Sequence, residues 1–358
     1  MKEIYRKLIK SLEEKEPVVL ATIIVQKGSV PRGKGTQFLI RKDGSFVGTI
    51  GGGRLEAQVL EGAKEVFENR APSRLNFVLK GTDVEKTDML CGGDAEVFLE
   101  FISAEKDVYI PIFRRALEIK ERGEKAIMAT VVDPNRWEKG AVPKILVEKS
   151  GEVHGSLTGG DGVEEAIKGK VEEILRMGHG EVLVFKDREG RDLEIFVEPV
   201  VSEPRLFVFG GGHVSEQIVP FAARVGFEVF VIDDRKEFAT PERFPEAAQV
   251  LKYPFEGVME RLPVDGSSYI VIVTRGHMHD RTVLEQSLRT TAKYIGMIGS
   301  RRKRNILYKK LLEEGFTQED LKRVHAPIGL EIGAETPEEI AVSIVAELIK
   351  VRAGLEEG

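Results

Sequence analysis

The chain has 358 residues, of which 42% are hydrophobic and 31% are charged, so it is long enough for two domains that each bury a core. Its net charge of −6, with lysine and glutamate interleaved, argues against a general nucleic-acid-binding face, and no apolar run reaches the length of a membrane span. A single cysteine excludes an intrachain disulfide framework. We therefore expect a cytoplasmic protein that binds neither nucleic acid nor membrane.

The N-terminal segment, residues 1–16, predicts an amphipathic helix and not a signal peptide, because it is rich in charge. Its apolar residues are spaced for one helical face, and these are Ile4, Leu8, Ile9 and Leu12. The helix is therefore expected to pack on a core.

The front half contains a duplicated unit, over about residues 18–68 and 126–177. The run VVLATIIV returns as AIMATVV, and four glycines recur 107 residues downstream, namely Gly44, Gly48, Gly52 and Gly53. Each copy predicts strands, a hairpin, a glycine-rich turn and a helix, followed by further strands. The predicted helices and later strands span 55–68, 95–102, 163–177, 180–185 and 193–200. We expect one α+β domain over residues 1–202, ended by the prolines at 199 and 204.

The two copies differ where chemistry could take place. Gly51, Gly52, Gly53 and Arg54 in the first copy correspond to Thr-Gly-Gly-Asp at 158–161 in the second, and Gly-Ser-Val-Pro-Arg at 28–32 has no counterpart. This asymmetry suggests one active half and one structural half. The glycine turn with Arg54 suits an anion, or it is simply a tight turn that needs positive φ.

Cys91 precedes Gly92 and Gly93 at a predicted junction between a loop and a strand. Glycines expose backbone N–H groups, which can stabilise a thiolate or a bound anion. The alternative is a small buried hydrophobic residue, which is how most free cysteines behave.

A dinucleotide-binding fingerprint begins the second half. A strand at 206–209 leads into Gly210, Gly211 and Gly212, followed by a helix at 214–223 and a strand at 228–232. Asp233 follows 21 residues after Gly212, close to where a ribose-binding acid belongs. Ser215 stands where the third glycine is usual. Residues 203–358 are therefore expected to form a Rossmann-like, doubly wound parallel sheet, so the chain combines α+β and α/β domains.

Two further clusters follow predicted strands of this sheet. Thr274, His277 and His279 come after the strand at 269–273. The two histidines could form a metal pair with Asp280, contact a cofactor or act in acid–base chemistry. Alternatively, the segment is a loop that leads into a helix capped by Thr274 or Asp280. Ser300 is predicted to cap a helix that begins with Arg301 and three further cations, which suits an anion or a partner, or simply faces solvent. The segment Thr336 to Glu339 is predicted to be a capping box, with Pro337 at the first helical position, for a structural helix over 338–352.

Taken together and in this order, these segments resemble the XdhC/CoxI family of xanthine dehydrogenase accessory factors. The resemblance covers nearly the whole chain. The segments that carry it are 28–32, 51–56, 91–93, 210–214, 233–235, 274–277, 299–303 and 329–341.

The resemblance implies a molybdenum cofactor-binding chaperone, not a turnover enzyme. Such proteins bind molybdopterin cofactor, support its sulfuration with a cysteine desulfurase, and deliver it to an apo molybdenum hydroxylase. Cys91 would then be the catalytic residue and the metal ligand, since molybdenum is thiophilic, and family analogy also implies a homodimer. The expected cofactor-binding residues are Arg32, Gly51, Gly52, Gly53, Arg54, Gly92, Gly93, Gly210, Gly212, His213, Asp233, Thr274, His277, Ser300 and Arg301.

Two other functions fit the same residues. The first is an NAD(P)-dependent oxidoreductase in which His277 or His279 acts as acid or base, and Asp233 would favour NAD over NADP by repelling a 2′-phosphate. The second is a regulatory protein that senses a dinucleotide and carries out no chemistry.

Overall fold

The computed structural model describes residues 1–28, 32–78, 93–105, 108–137, 141–157 and 161–355, apart from the side chains of Val78, Asp161 and His277. These residues form two compact units, Met1–Ser202 and Glu203–Gly358. In the described part of the chain no helix is both long and apolar enough to cross a membrane.

The first unit contains helices packed on two antiparallel sheets. Its elements are α1 (Lys2–Glu13), β1 (Val18–Lys27), β2 (Gln37–Arg41), β3 (Phe46–Gly48), α2 (Gly53–Asn69), β4 (Ser73–Val78), β5 (Asp94–Ile102), α3 (Tyr109–Arg122), β6 (Ala126–Val131), β7 (Lys144–Glu148), β8 (Val153–Ser156), α4 (Asp161–Lys168), α5 (Val171–Met177), β9 (Glu181–Lys186) and β10 (Asp192–Val200).

The two sheets have the same topology, which is the structural form of the repeat. Their strand orders are β3-β2-β1-β5-β4 and β8-β7-β6-β10-β9. One face of the first sheet packs on α2 and one face of the second on α4 and α5. The other faces share a core with α1 and α3, whose Tyr5 and Phe113 rings meet edge to face with centroids 5.3 Å apart.

The repeat is longer than the sequence indicated, because each copy also contains a helix that precedes its sheet. Helices α1 and α3 share apolar spacing but little identity, so their correspondence is visible only in the structure. The predicted helix over 163–177 is also corrected: it is two helices, α4 and α5, separated at Gly169 and Lys170. Glycine is a weak helix former, while Val163, Ile167, Val171 and Ile174 keep one apolar stripe across the break.

One backbone contact is repeated in both halves. Gly48 and Gly155 have φ values of +92° and +96°. A β-carbon at Gly48 would lie 2.8 Å from the carbonyl oxygen of Gln37, and one at Gly155 would strike the carbonyl oxygen of Lys144. The duplication therefore retains glycine where the β2–β3 and β7–β8 hairpins leave no room for a side chain.

The second unit is a parallel sheet covered by helices on both faces. Its elements are β11 (Arg205–Phe209), α6 (His213–Arg224), β12 (Glu228–Asp233), β13 (Gln249–Lys252), β14 (Tyr269–Ile272), α7 (His277–Leu288), β15 (Tyr294–Met297), α8 (Arg301–Glu313), α9 (Gln318–Lys322), β16 (Val324–His325) and α10 (Pro337–Arg352).

The strand order is β13-β12-β11-β14-β15-β16, and every described pair is parallel. This is the order of a dinucleotide-binding Rossmann sheet. Helices α6 and α10 pack on one face and α7 and α8 on the other. The predicted combination of an α+β unit with a Rossmann-like α/β unit is confirmed.

Candidate functional site

The candidate site lies at the carboxyl edge of the parallel sheet, where the strand order reverses. Strand β11 pairs with β12 on one side and with β14 on the other, so α6 and α7 leave the sheet on opposite faces. Open α/β sheets bind ligands in the crevice at such a switch point. The glycine turn, the residues after β12 and the loop after β14 therefore meet here.

The glycine turn is tightly packed over its first two residues and open at the third. Gly210 has a φ of +109°, and a β-carbon there would strike the backbone of Val273. A β-carbon at Gly211 would strike the carbonyl oxygen of Phe238, whereas one at Gly212 would have no neighbour within 4 Å among the described residues. Ser215 is fully buried, and its hydroxyl donates a hydrogen bond to the Gly210 carbonyl. The serine therefore still allows α6 to pack closely on the glycine turn.

Asp233 holds the glycine turn in place. Its Oδ2 accepts from the Gly211 N–H at 2.7 Å and from Arg235 Nη2 at 2.9 Å, and its Oδ1 accepts from Arg235 N and Nε. Burial raises the pKa of Asp233, but the bonds from Arg235 and Gly211 outweigh burial and leave the pKa below its ordinary value. Both carboxylate oxygens of Asp233 thus accept hydrogen bonds from the protein itself. The predicted ribose contact of Asp233 stays a prediction.

The segment after Asp233 covers the turn. Two guanidinium groups contact the Phe238 ring, and their Cζ atoms lie 3.6 Å (Arg235) and 4.7 Å (Arg243) from its centroid. Arg243 also donates to the Gly211 carbonyl at 3.1 Å and pairs with Glu216 at 2.8 Å. These contacts fix the loop across Gly211 and leave Gly212 uncovered.

Asp280 organises the edge after β14. Its carboxylate is fully buried and accepts from the Thr274 hydroxyl at 2.6 Å, from the Thr274 N–H and from Lys303. Thr274 and Asp280 therefore bind each other, and Gly276 is the N-cap of α7. The Asp280 carboxylate therefore links the loop after β14 to α8, because it accepts hydrogen bonds from both segments.

The two histidines of this loop occupy different positions. His277 begins α7, and its side chain lies outside the described residues. His279 lies 3.4 Å from Arg275 Nη2 and contacts the Phe255 ring at 5.3 Å. Arg275 in turn pairs with Asp234 at 3.0 Å. This arrangement is a polar cluster at the rim of the crevice.

Among the described side chains, the group placed to hold a metal ion is elsewhere, in the first unit. It consists of Glu148, Glu152 and His154. Arg115 donates twice to Glu148, at 2.6 and 2.8 Å, and lowers the pKa of that carboxyl to about 2. Since a guanidinium already neutralises Glu148, we regard the group as an ion-pair network.

At the start of α8, Ser300 accepts a hydrogen bond from the Lys303 N–H at 3.2 Å and is the cap that the sequence predicted. Arg301 is 75% exposed, and its contact with Glu331 is 3.4 Å long. An ion pair this exposed contributes little, so Arg301 is accessible to an anion.

In the first unit, the glycine turn already holds a carboxylate of the protein. Gly51, Gly52 and Gly53 have φ values of +127°, +75° and +59°, so the turn requires positive φ. Glu56 accepts from the N–H groups of Ile50 at 3.0 Å and Gly52 at 2.9 Å, and from a threonine hydroxyl. Arg54 is exposed beside it. An external anion would have to bind through Arg54 or displace Glu56.

The remaining predicted residues are distributed as follows. Arg32 and His213 are exposed, and Gly93 is buried at the start of β5. Cys91 and Gly92 lie outside the described residues, so their predicted roles stay predictions.

The sequence did not reveal Glu56 as the occupant of the first turn or Lys303 as the partner of Asp280. An acid within the first turn of a glycine-led helix was the available signal for Glu56, whereas nothing local identified Lys303.

Two family profiles match this chain. The one described as XdhC Rossmann domain matches residues 206–348, and the one described as XdhC and CoxI family matches residues 11–78. A Bacillus subtilis protein described as a probable xanthine dehydrogenase subunit is 28% identical, over 95% of this chain and 95% of its own. Molybdenum cofactor insertion chaperone PaoD of Escherichia coli is 22% identical, over 99% of this chain and 89% of its own.

Uncharacterized protein YqeB of Escherichia coli is 32% identical over 67% of this chain, and the match spans 46% of YqeB. A crystal structure from Bacillus halodurans, described as a xanthine dehydrogenase, has a TM-score of 0.77 and 25% identity, and covers 100% of this chain and 97% of that one. With one profile matching each unit and both in the expected order, the protein belongs to the XdhC and CoxI family.

Proposed function

We propose that this protein binds molybdenum cofactor and inserts it into an apo molybdenum hydroxylase, as an accessory factor and not as a turnover enzyme. The observation that supports this most is the convergence of two helix N-termini at the switch point. In the described part of the chain, no side chain caps α6 at Gly212 or α7 at Gly276. A β-carbon at either glycine would meet nothing within 4 Å.

This donor set suits a phosphate-bearing cofactor. The first-turn N–H groups of an uncapped helix and its dipole favour an anion, and Arg301 adds an accessible guanidinium. We infer that the N-termini of α6 and α7 hold the phosphate and that Arg301 assists. When bound, the cofactor would supply the metal and sulfur chemistry of the recipient enzyme. The names of the Bacillus subtilis and PaoD relatives agree with this role.

The finer steps are part of the same proposal. Cys91 is the group that we expect to ligate molybdenum or to lie beside the sulfide, with a cysteine desulfurase as sulfur donor and a homodimer as the working form. In the first unit, Arg32 and Arg54 are exposed, and the proposal includes both as cofactor-binding residues. Cys91→Ser is expected to weaken retention of the sulfurated cofactor, and unchanged retention would remove Cys91 from the mechanism.

The deciding experiment measures molybdenum and pterin in protein isolated from a host that makes the cofactor. Gly212→Val and Gly276→Val each place a side chain where the phosphate would approach, without backbone strain, since neither glycine has positive φ. We expect both variants to lose most of the bound molybdenum and pterin. Gly266→Val is the matched control, because Gly266 precedes β14 at the opposite edge of the sheet and has space for a β-carbon.

Near-stoichiometric molybdenum and pterin in wild type and in the Gly266 variant, with loss in the other two, is the supporting result. Equal retention in all four proteins would place the cofactor elsewhere. Absence of both components together with a clear NAD(H) binding isotherm would favour the oxidoreductase or sensor function.

A further inference from the structure

A surface groove on the second unit runs between α7 and α8 and has a volume of about 800 Å³. Ser300 lies at one end of the groove, and Lys310, nearly three helical turns further along α8, lies at the other. Its walls are side chains of two helices that the sheet already holds in place, through Val283, Leu284, Leu307 and Leu311. The groove is therefore part of a rigid surface.

Large apolar side chains line the groove and remain accessible. Met278 on α7 is 72% exposed and Ile306 on α8 is 54% exposed. Leu307 extends this apolar surface into the core. Exposed apolar side chains that share one concave surface mark binding sites more often than isolated ones do.

The same groove has a basic lining. Its described lining contains four cations and no carboxylate, in a chain whose net charge is −6. Arg281 pairs with Glu285 and Glu314, and Lys303 pairs with Asp280. Within the described residues, the side chains of Arg302 and Lys310 have no ion-pair or hydrogen-bond partner, so two positive charges flank the apolar centre uncompensated.

The spacing of these groups defines what they could bind. Arg302, Ile306 and Lys310 follow at intervals of four residues and form one stripe on α8. The two cations are thus separated by about 12 Å along the helix axis. A second helix packed alongside would match this stripe with two carboxylates eight residues apart and an apolar side chain midway between them.

We propose that this groove docks an acidic amphipathic helix of a partner protein. Its apolar side chain packs on Met278 and Ile306, and its two carboxylates pair with Arg302 and Lys310. The apolar centre favours a protein helix over a nucleic acid, whose phosphates would gain nothing there. The docking proposal does not depend on the cofactor proposal.

The test uses a fluorescein-labelled synthetic helix of about 18 residues, with leucines on one face and glutamates eight apart, at about 150 mM salt. Binding to the full chain is followed by fluorescence anisotropy. Lys310→Glu is compared with Lys309→Glu, the adjacent exposed lysine outside the groove. Ile306→Ala is compared with Leu312→Ala, a second exposed apolar residue on α8.

We expect Lys310→Glu and Ile306→Ala each to weaken binding about tenfold, and Lys309→Glu and Leu312→Ala to change it less than about twofold. Arg302→Glu is expected to act as Lys310→Glu does. Three results would overturn the proposal. The first is no binding of the peptide, and the second is an equal loss of peptide affinity in the Lys309 and Lys310 variants. The third is displacement of the peptide by an unlabelled DNA strand whose own affinity is unchanged by Ile306→Ala. The assay contains no cofactor, so its failure would leave the proposed function intact.

Discussion

Lys144 in the second half of the duplicated unit donates a 2.8 Å hydrogen bond to Glu100 in the first half, and both side chains are almost fully buried. The duplication relates this pair to a second one, Gln37 and Glu198, which are 3.1 Å apart. Gln37 and Lys144 occupy equivalent positions on β2 and β7, and Glu100 and Glu198 on β5 and β10. Two equivalent polar contacts therefore join the two copies, and only the contact between Lys144 and Glu100 is an ion pair.

Removing Lys144 is expected to destabilise the first unit strongly. Lys144→Met leaves the Glu100 carboxylate buried without a cation, which costs about 3–5 kcal/mol of unfolding free energy. Urea unfolding followed by the fluorescence of Trp137, the single tryptophan, reports on this unit, because Trp137 packs on Phe98. Lys144→Met combined with Glu100→Met should recover most of the loss. No recovery in the double variant would mean that the ion pair is not the cause.

Stability of the first unit is expected to decrease as pH rises towards 7. Burial, together with the charge of Glu100, raises the pKa of Glu198 to about 7, although Lys144, Lys120 and the bond from Gln37 oppose the shift. The folded state therefore holds a proton more tightly than the unfolded state, whose carboxyl has a pKa near 4.5. The stabilisation is complete below pH 4.5 and is lost as pH rises through about 7, by roughly 3 kcal/mol.

Glu198→Gln tests this dependence, because glutamine cannot ionise. Unfolding free energies of wild type and variant, measured by Trp137 fluorescence between pH 5 and about 8, should diverge as pH rises, with the variant the more stable at the upper end. The ring of Tyr5, whose own pKa is raised by burial and then by Glu198, is a second buried group in this cluster. Glu152→Gln, at a 65% exposed position, should leave the pH dependence unchanged. Parallel curves for wild type and Glu198→Gln would contradict the assignment.

Glu56 is expected to stabilise the turn at Gly51–Gly53. Glu56→Ala removes the acceptor of the Ile50 and Gly52 N–H groups, at a cost of about 2 kcal/mol. Burial raises the pKa of Glu56, but its hydrogen bonds outweigh burial and lower the pKa, so this contribution is present above pH 4.5 and is lost as the solution is acidified. Glu61→Ala on the same helix, at a 70% exposed position, is the control and should cost little.

Ser215→Gly restores the third glycine of the dinucleotide motif and is expected to be harmful. It removes the buried hydrogen bond to Gly210 and introduces glycine into α6, for a combined loss of about 1–2 kcal/mol. Amide hydrogen exchange in α6 would measure this, since Trp137 does not report on the second unit. Ser215→Ala should cost less. A gain of NAD(H) affinity in Ser215→Gly would instead show that the serine alone prevents dinucleotide binding.

The sequence was most informative where structure depends on neighbouring residues. The glycine turn between strand and helix, the Ser300 cap and the Thr336 capping box are local, and each is found as predicted. The β-branched runs of the second half likewise marked the central parallel strands. Helix α3 and strand β4 were not predicted, because an amphipathic helix or a short partly exposed strand carries a weak signal.

The sequence by itself determined the family, the two classes of fold and which segments supply the candidate site, because spacing and turn chemistry are encoded by residues close together in the chain. The tertiary structure decided how those residues are used. Asp233 binds Gly211, Lys303 binds Asp280 and Lys144 binds Glu100. These partners are more than twenty residues apart, and their pairing depends on where the sheets bring distant segments together, which no local pattern specifies.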